Sequence, residues 1–386
     1  MKKTVFLIGA VVWTVIAIAA IAVLVVALSG SSQNLPGWMR AGSIVSAWDA
    51  NTALIKEESF SLLDITELDI GTQYQSIVIV LSDSDEMTVR HYDIDSATPF
   101  VSEISNGRLS ISAPNRGMVT LGMANPRLEI DLPRSYSDAV SLRSSSGSIG
   151  TDGSVGWSVV SIASSSGTVR LGSGLTCGDL NISTSSGSIQ LGDTQADRIE
   201  IVSSSGTQRL GDLRALGDVK LTSTSGSISS GDIAAPNLSI QSSSGTIRIG
   251  NVDVDGHLDI SSSTGSQNAG VVKTGTFNIS SNSGTLRYEG LSGAGSLRSS
   301  SGSINCEALD VGGDVSVTST SGTQRITLAP NQNFEIEIFT SSGTIRASNL
   351  ELLYSDNRGQ NAFGRVGSGS GGTLSLQSSS GSININ

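Results

Sequence analysis

The sequence predicts an all-β protein whose main domain is a single-chain parallel β-solenoid (a β-helix) with coils of ~19–20 residues. Two repeated features carry this prediction: a Ser/Thr-Gly-Ser/Thr tripeptide, and aliphatic residues that alternate with polar ones on both sides of it. A third is composition. Aromatic residues make up only 4% of the 386 residues, which is few for a globular core built on large side chains.

The tripeptide recurs with a nearly constant spacing. Its central glycine stands at positions 147, 167, 187, 206, 226, 245, 265, 284, 302, 322, 343 and 381. Successive glycines are 18 to 21 residues apart, except for the last gap of 38 residues, where we expect one coil to have lost the motif. A single coil cannot bury its apolar face alone, so a repeat of this length indicates coils that stack on one another.

The residues around each glycine predict two strands per coil. Aliphatic pairs such as Leu180 and Ile182 precede the glycine, and pairs such as Ile189 and Leu191 follow it. This period of two is typical of strands with one buried face, and a Gly-Asp turn then closes the coil. The serines before each glycine are expected to hydrogen-bond corner carbonyls, not to act as nucleophiles.

The N-terminus predicts a membrane anchor. Residues 5–28 carry no charge and are long enough to span a bilayer as a helix. Lys2 and Lys3 precede this segment, so the stub 1–4 is expected in the cytoplasm and the C-terminal part outside, in a single-pass cell-membrane protein. Cleavage as a signal peptide near Ser29 is the alternative. Residues 29–58 are interpreted as a juxtamembrane stalk.

The predicted solenoid ectodomain covers residues 59–386. We expect irregular first coils over 59–140, regular coils over 141–350, an insertion loop over 354–372 and a last coil over 373–386. An uncapped last coil would expose strand edges. Either the insertion loop or another molecule is therefore expected to cover it.

A row of arginines is the candidate binding site. Arginine stands three residues after the glycine in every second coil, and the motif glycine is followed by Thr in those coils and by Ser in the others. This two-coil repeat breaks at Gly343. The row could hold a repeating polyanion such as an anionic wall polymer, or the spacing could only keep like charges apart. Its members are Arg170, Arg209, Arg248, Arg287 and Arg325.

Other polar groups predict no catalytic, cofactor or metal site. Acidic residues after the turn glycine are typical of turn caps, and binding of Ca²⁺ between stacked carboxylates is the alternative; they are Asp193, Asp212 and Asp232, with Asn251 in the same column. The acidic cluster Asp83, Asp85 and Glu86 has the same two interpretations. Only two histidines are present, far apart in sequence, so no zinc site is expected. The net charge of −11 argues against nucleic acid as a partner.

The two cysteines are predicted to be free. Cys177 and Cys306 lie about seven motif coils apart, so stacking separates them by roughly 30 Å. A disulfide requires Cα atoms within about 7 Å.

Several motifs together resemble the bacterial putative-adhesin family, a domain of unknown function in cell-envelope proteins. They are the apolar N-terminus, the SDSDE corner at Ser82–Glu86, the L-x-I strand at Leu109–Ile111, the repeated SSGSI and SSGTI coils, and the glycine-rich stretch before the last SSGSI. The resemblance covers roughly residues 60–386. It implies a β-helical ectodomain at the cell surface and brings no catalytic residues.

These observations favour a non-catalytic, membrane-anchored cell-envelope protein, an adhesin or a surface scaffold. Its expected partners are the membrane, through the N-terminal helix, and a cell-wall polymer or an envelope protein. An accessory or sensor protein of an envelope-stress response is the alternative. A β-helix enzyme acting on polysaccharides is a further alternative, although the charged residues mostly follow the repeat and form no unique cluster.

Overall fold

The computed structural model describes residues 52–94, 97–114, 125–151, 153–355 and 359–386, whose regular elements are all β-strands. These strands form one sheet that winds as a parallel β-solenoid, which confirms the fold class predicted for residues 59–386. Within those ranges no helix has the length and apolar character to cross a membrane. The predicted stub, the anchor at 5–28 and most of the stalk lie outside the described residues.

The strands are short near corners and longer where one coil runs into the next. The N-terminal strands are β1 (Ala53–Ser61), β2 (Glu67–Thr72), β3 (Ser76–Ser82), β4 (Glu86–Asp93), β5 (Val101–Ser105), β6 (Arg108–Ser112), β7 (Arg127–Pro133), β8 (Ala139–Ser144) and β9 (Ile149–Thr151). The regular coils contain β10 (Gly156–Ser164), β11 (Val169–Leu171), β12 (Leu175–Thr184), β13 (Ile189–Leu191), β14 (Thr194–Ser203), β15 (Gln208–Leu210), β16 (Leu213–Ala215), β17 (Val219–Ser223), β18 (Ile228–Ser230), β19 (Ile233–Ala235), β20 (Leu238–Ser242), β21 (Ile247–Ile249), β22 (Val252–Ser262), β23 (Gln267–Ser281), β24 (Leu286–Ser299), β25 (Ile304–Ser319) and β26 (Gln324–Leu328). The C-terminal strands are β27 (Phe334–Thr340), β28 (Ile345–Ala347), β29 (Leu352–Tyr354), β30 (Asn361–Val366), β31 (Thr373–Ser378) and β32 (Ile383–Ile385).

A regular coil has three strands where the sequence predicted two. In one coil β17 leads through the glycine corner to β18, and β19 follows the Gly-Asp turn. Val219, Leu221, Ile228 and Ile233 point inward from these strands and are fully buried. The third strand was missed because it has only three residues, too few for an alternating pattern to stand out.

The motif glycines stack in one column, and the stacking requires them. A Cβ placed on Gly226 would clash with the carbonyl oxygen of Gly206 in the coil before it, and the other motif glycines meet their neighbours in the same way. The serine three residues before the glycine is buried, and Ser223 Oγ donates to the Gly226 carbonyl at 2.7 Å. This bond confirms the structural role predicted for the corner serines.

At the N-terminal end, the order of coils in space differs from their order in sequence. Strand β2 pairs with β6 on one side and with β8 on the other, and β3 pairs likewise with β7 and β9. The later coil of β6 and β7 is therefore the outermost one. It is covered by antiparallel strands, since β5 runs along β6, β4 runs along β7, and β1 runs along β4.

The C-terminal end shows the same exchange. Strand β31 pairs with β25 and β27, and β32 pairs with β26 and β28. The last coil of the sequence, 373–386, therefore lies between the coils of Gly322 and Gly343. We expected the insertion loop or another molecule to cover this coil, but both of its edges pair with other coils of the solenoid.

The described residues of the 38-residue gap (343–355 and 359–381) do not form a coil that lacks the motif, which corrects that expectation. Within it, β30 runs antiparallel along β27, and β29 pairs antiparallel with β30. The stretch expected as an insertion loop, 354–372, thus contributes a strand that covers the outer edge of β27. The long gap is the length of chain needed to build this cover and return to the slot for the last coil.

Candidate binding site: the arginine row

The arginines occupy the middle of the strand that follows the glycine corner. In β11, Val169 and Leu171 are buried, and Arg170 between them points outward and is exposed. The same buried–exposed–buried pattern holds Arg209 in β15 and Arg248 in β21. The inward neighbours, which are aliphatic in β11 and β21 and include the buried Gln208 in β15, thus fix the direction of each guanidinium.

The strand register aligns these positions in a single row. We call each coil's level in the stack a rung, and the neutral polar residue that occupies the arginine position on alternate rungs a spacer. The residues at this position pair from each rung to the next. In spatial order the row reads Arg170, Gln190, Arg209, Ser229, Arg248, Asn268, Arg287, Asn305, Arg325, Asn384 and Arg346. Arginines recur every second rung, at a spacing of ~10 Å.

The two-coil repeat breaks at Gly343 along the sequence but continues in space. In sequence order Arg346 follows Arg325 with no spacer, but in space Asn384 lies between them. Arg346 is the sixth arginine of the row, and its position three residues after Gly343 was visible in the sequence. What the repeat could not show was the insertion of the last coil.

The arginines of the row are open to solvent. Arg170 Nε donates to Gln190 Oε1 at 2.9 Å, so an arginine and its spacer can be joined. Arg287 forms an ion pair of 2.7 Å with Glu307, in which both side chains are more than half exposed. Exposed pairs of this kind are worth about 0.2–1 kcal/mol, so they leave the guanidinium groups available to an anion.

The aspartate column beside the row caps backbone groups. Asp193 Oδ1 accepts from the Asp212 N–H at 3.0 Å, and Asp212 Oδ1 from the Asp232 N–H at 2.9 Å. Asp232 and Asn251 continue the ladder in the same way. The side chains cap backbone groups as predicted, but the N–H that each one accepts from belongs to the next coil and not to its own turn. In the described parts of the chain no three His, Cys, Asp or Glu side chains are grouped to hold a metal ion.

The acidic column ends before the row does. Val271 occupies the position after Asn251 and donates its backbone N–H to the Asn251 side chain. From Arg248 onward the row is therefore no longer flanked by this run of carboxylates. In this half a carboxylate outside the column approaches the row, since Glu307 pairs with Arg287 at 2.7 Å.

At its other end the row opens into a depression. The rung before Arg170 carries Gly150, which has no side chain, and the next rung carries Val78. The depression here has a volume of about 410 Å³ and is lined by Arg170 and Arg127, among others. The Arg127 guanidinium is paired with Glu129 at 3.3 Å, so Arg170 is the arginine of the row at this depression.

The other predicted groups lie apart from the row. Cys177 and Cys306 are free and buried, as expected, and burial raises the pKa of each thiol to about 12. His91 is buried in the N-terminal part, 3.5 Å from Asp93, while His257 is exposed and hydrogen-bonds Thr276. In the acidic cluster, Asp83 is exposed and pairs with Arg134 at 3.2 Å.

Comparison with known proteins identifies the family. The model of the Toastrack DUF4097 family matches residues 65–229 and 212–386. Two solved structures are similar in part: a putative adhesin from Bacteroides fragilis NCTC 9343 and a putative cell adhesion protein from Clostridium sporogenes ATCC 15579. The first has 16% identity and a TM-score of 0.38 over 60% of this chain and 96% of its own; the second has 10% and 0.24 over 86% and 98%. No curated protein matches the chain. Because the family matches cover most of the solenoid, the chain belongs to the Toastrack DUF4097 family.

Proposed function

We propose that this protein is a non-catalytic component of the cell envelope, an adhesin or surface scaffold, that binds an anionic polymer along the arginine row. The predicted anchor at 5–28 would hold it in the cell membrane with the solenoid outside. The observation that carries the proposal is the unbroken alternation of arginine and neutral polar side chains along the whole row, through the exchange of coils at its C-terminal end.

The charge distribution supports a local anionic ligand. The whole chain carries a net charge of −11, so most of its surface repels a polyanion. The row concentrates guanidinium groups on one face, and guanidinium binds carboxylate or phosphate through paired hydrogen bonds. A polymer would therefore be directed to this face.

The length of a polymer ligand compensates for the weakness of each contact. A single exposed ion pair contributes about 0.2–1 kcal/mol, which is too little for specific binding alone. A polymer that spans the row engages several arginines at once, and each later contact forms at a high effective concentration. A row that continues from coil to coil suits an extended chain better than a small anion.

The test is binding of the full chain, purified in mild detergent, to isolated cell wall and to its anionic polymers at low and moderate salt. The row variant carries Arg248→Gln, Arg325→Gln and Arg346→Gln. The matched control carries Arg198→Gln, Arg214→Gln and Arg298→Gln, three exposed arginines outside the row. Losing three exposed contacts should weaken binding roughly tenfold in the row variant, while the control binds as the unmodified chain does.

Binding that weakens with salt and is lost only in the row variant supports the proposal. Equal losses in the two variants would mean that net charge, not the row, governs binding. Absence of binding by the unmodified chain at low salt would overturn the polymer-binding role and favour a protein partner, as expected of a sensor or accessory protein.

A further inference from the structure

We infer that the ligand of the row is an extended acidic polysaccharide in which a charged sugar alternates with an uncharged one. This inference rests on the proposed function and names the polymer class that the row fits. It follows from three features of the row: its spacing, the chemistry of its spacers, and a second column with the same period.

The spacing of the arginines determines which distance between anionic groups of a ligand fits the row. Two rungs of a parallel sheet separate neighbouring arginines by ~10 Å, which is comparable with the length of an extended disaccharide. A polymer with one carboxylate per disaccharide would place a charge at every arginine. A polymer charged on every sugar would place half of its charges opposite a neutral spacer.

The spacers suit an uncharged sugar. Four of the five are amides, Gln190, Asn268, Asn305 and Asn384, and the fifth is Ser229. Amide and hydroxyl groups both donate and accept hydrogen bonds, as sugar hydroxyls do, and they carry no charge. The spacers are half-buried while the arginines are exposed, so the guanidinium groups extend beyond the amides on either side.

A second column repeats with the same period. The residue after the motif glycine is Thr on arginine rungs and Ser on spacer rungs, and the alternation continues through Thr323, Ser382 and Thr344 at the exchanged coils. Thr344 and Ser382 hydrogen-bond at 3.0 Å. Repulsion between like charges explains why arginines avoid adjacent rungs, but it does not explain an alternation of two neutral residues. A ligand with a two-rung repeat accounts for both columns.

The experiment compares two polymers of equal length: hyaluronan, with one carboxylate per disaccharide, and polygalacturonate, with one on every sugar. The full chain should bind hyaluronan about twofold more tightly per carboxylate, because half of the polygalacturonate charges face no arginine. Binding of the two polymers in simple proportion to their carboxylates would overturn the inference but leave polyanion binding intact. Binding of neither polymer, nor of wall material, would overturn the proposed function itself.

A spacing variant separates periodicity from charge. Ser229→Arg, Asn268→Arg and Asn384→Arg place arginines on adjacent rungs, whereas Gln195→Arg, Gln241→Arg and Gln377→Arg add the same charge at exposed positions outside the row. The spacing variant should shift the preference toward polygalacturonate, and the control should leave the ratio of the two affinities unchanged. An equal shift of the affinity ratio in both variants would show that the spacing of the arginines does not determine which polymer is preferred.

Discussion

Arg325 and Arg346 lie two rungs apart, with Asn384 from the last coil of the chain on the rung between them. Stacking in the order of the sequence would place the two guanidinium groups on adjacent rungs, ~5 Å apart along the stack, where like charges repel. The exchange of coils thus keeps the alternation that the rest of the row follows. It also gives the last coil a partner on each edge.

Because the motif glycines stack so closely, we predict that changing one of them to alanine destabilises the fold. In Gly226→Ala the new Cβ would overlap the Gly206 carbonyl, and both atoms belong to paired backbone that cannot move freely. We expect unfolding free energy to fall by about 1–3 kcal/mol, as for other overpacked sites. Denaturation by guanidinium chloride measures the change. The control is Gly156→Ala in β10, where no atom lies within 4 Å of the new Cβ. A similar loss in both variants would contradict the steric account.

The corner serines predict a smaller loss. Ser203 is buried, and its Oγ donates to the Gly206 carbonyl at 2.9 Å. Ser203→Ala removes this donor, so stability should fall by about 1 kcal/mol. Ser204→Ala changes the exposed neighbour and should have little effect in the same denaturation experiment. If the two substitutions cost the same, the corner hydrogen bond does not stabilise the fold.

Because both thiols are buried, we predict that they are alkylated slowly in the folded chain and that the fold loses stability at high pH. Burial raises the pKa of Cys306 from its ordinary value of 9.0 to about 12, so the folded chain holds the neutral thiol at pH 8. Iodoacetamide should label Cys177 and Cys306 only after unfolding, as measured by mass spectrometry. The stabilisation is complete below pH 9 and is lost between pH 9 and about 12, because the unfolded thiol ionises first. Rapid labelling of the native protein at pH 8 would contradict this burial.

The sequence predicted the columns of the solenoid well. A period of 18 to 21 residues assigns each residue to a position in the coil, and the aliphatic pairs, such as Val160 and Ile162, are buried as that assignment requires. The arginine row followed from the same period. Each of these predictions depends only on which column a residue belongs to, and the repeat carries that information directly.

The order of the coils could not be predicted from the repeat. The coils of Gly343 and Gly381 have the same motif, so either could stack on the coil of Gly322. Their order is decided by β30, which pairs with the outer edge of β27 and so makes that coil terminal. Contacts between strands far apart in sequence leave no periodic signal. Arg346 was left out of the predicted row for this reason.

Cross-linking tests the coil order, on which the unbroken six-arginine row depends. Adjacent rungs place Cα atoms ~5 Å apart, inside the range for a disulfide, whereas two rungs exceed it. We predict that cysteines at 325 and 384 (Arg325→Cys with Asn384→Cys) and at 346 and 384 (Arg346→Cys with Asn384→Cys) form disulfides under mild oxidation. The pair Arg325→Cys with Arg346→Cys should stay reduced, as read by mass spectrometry of unreduced peptides. A disulfide between positions 325 and 346, with none to position 384, would mean that the coils stack in sequence order and would break the row.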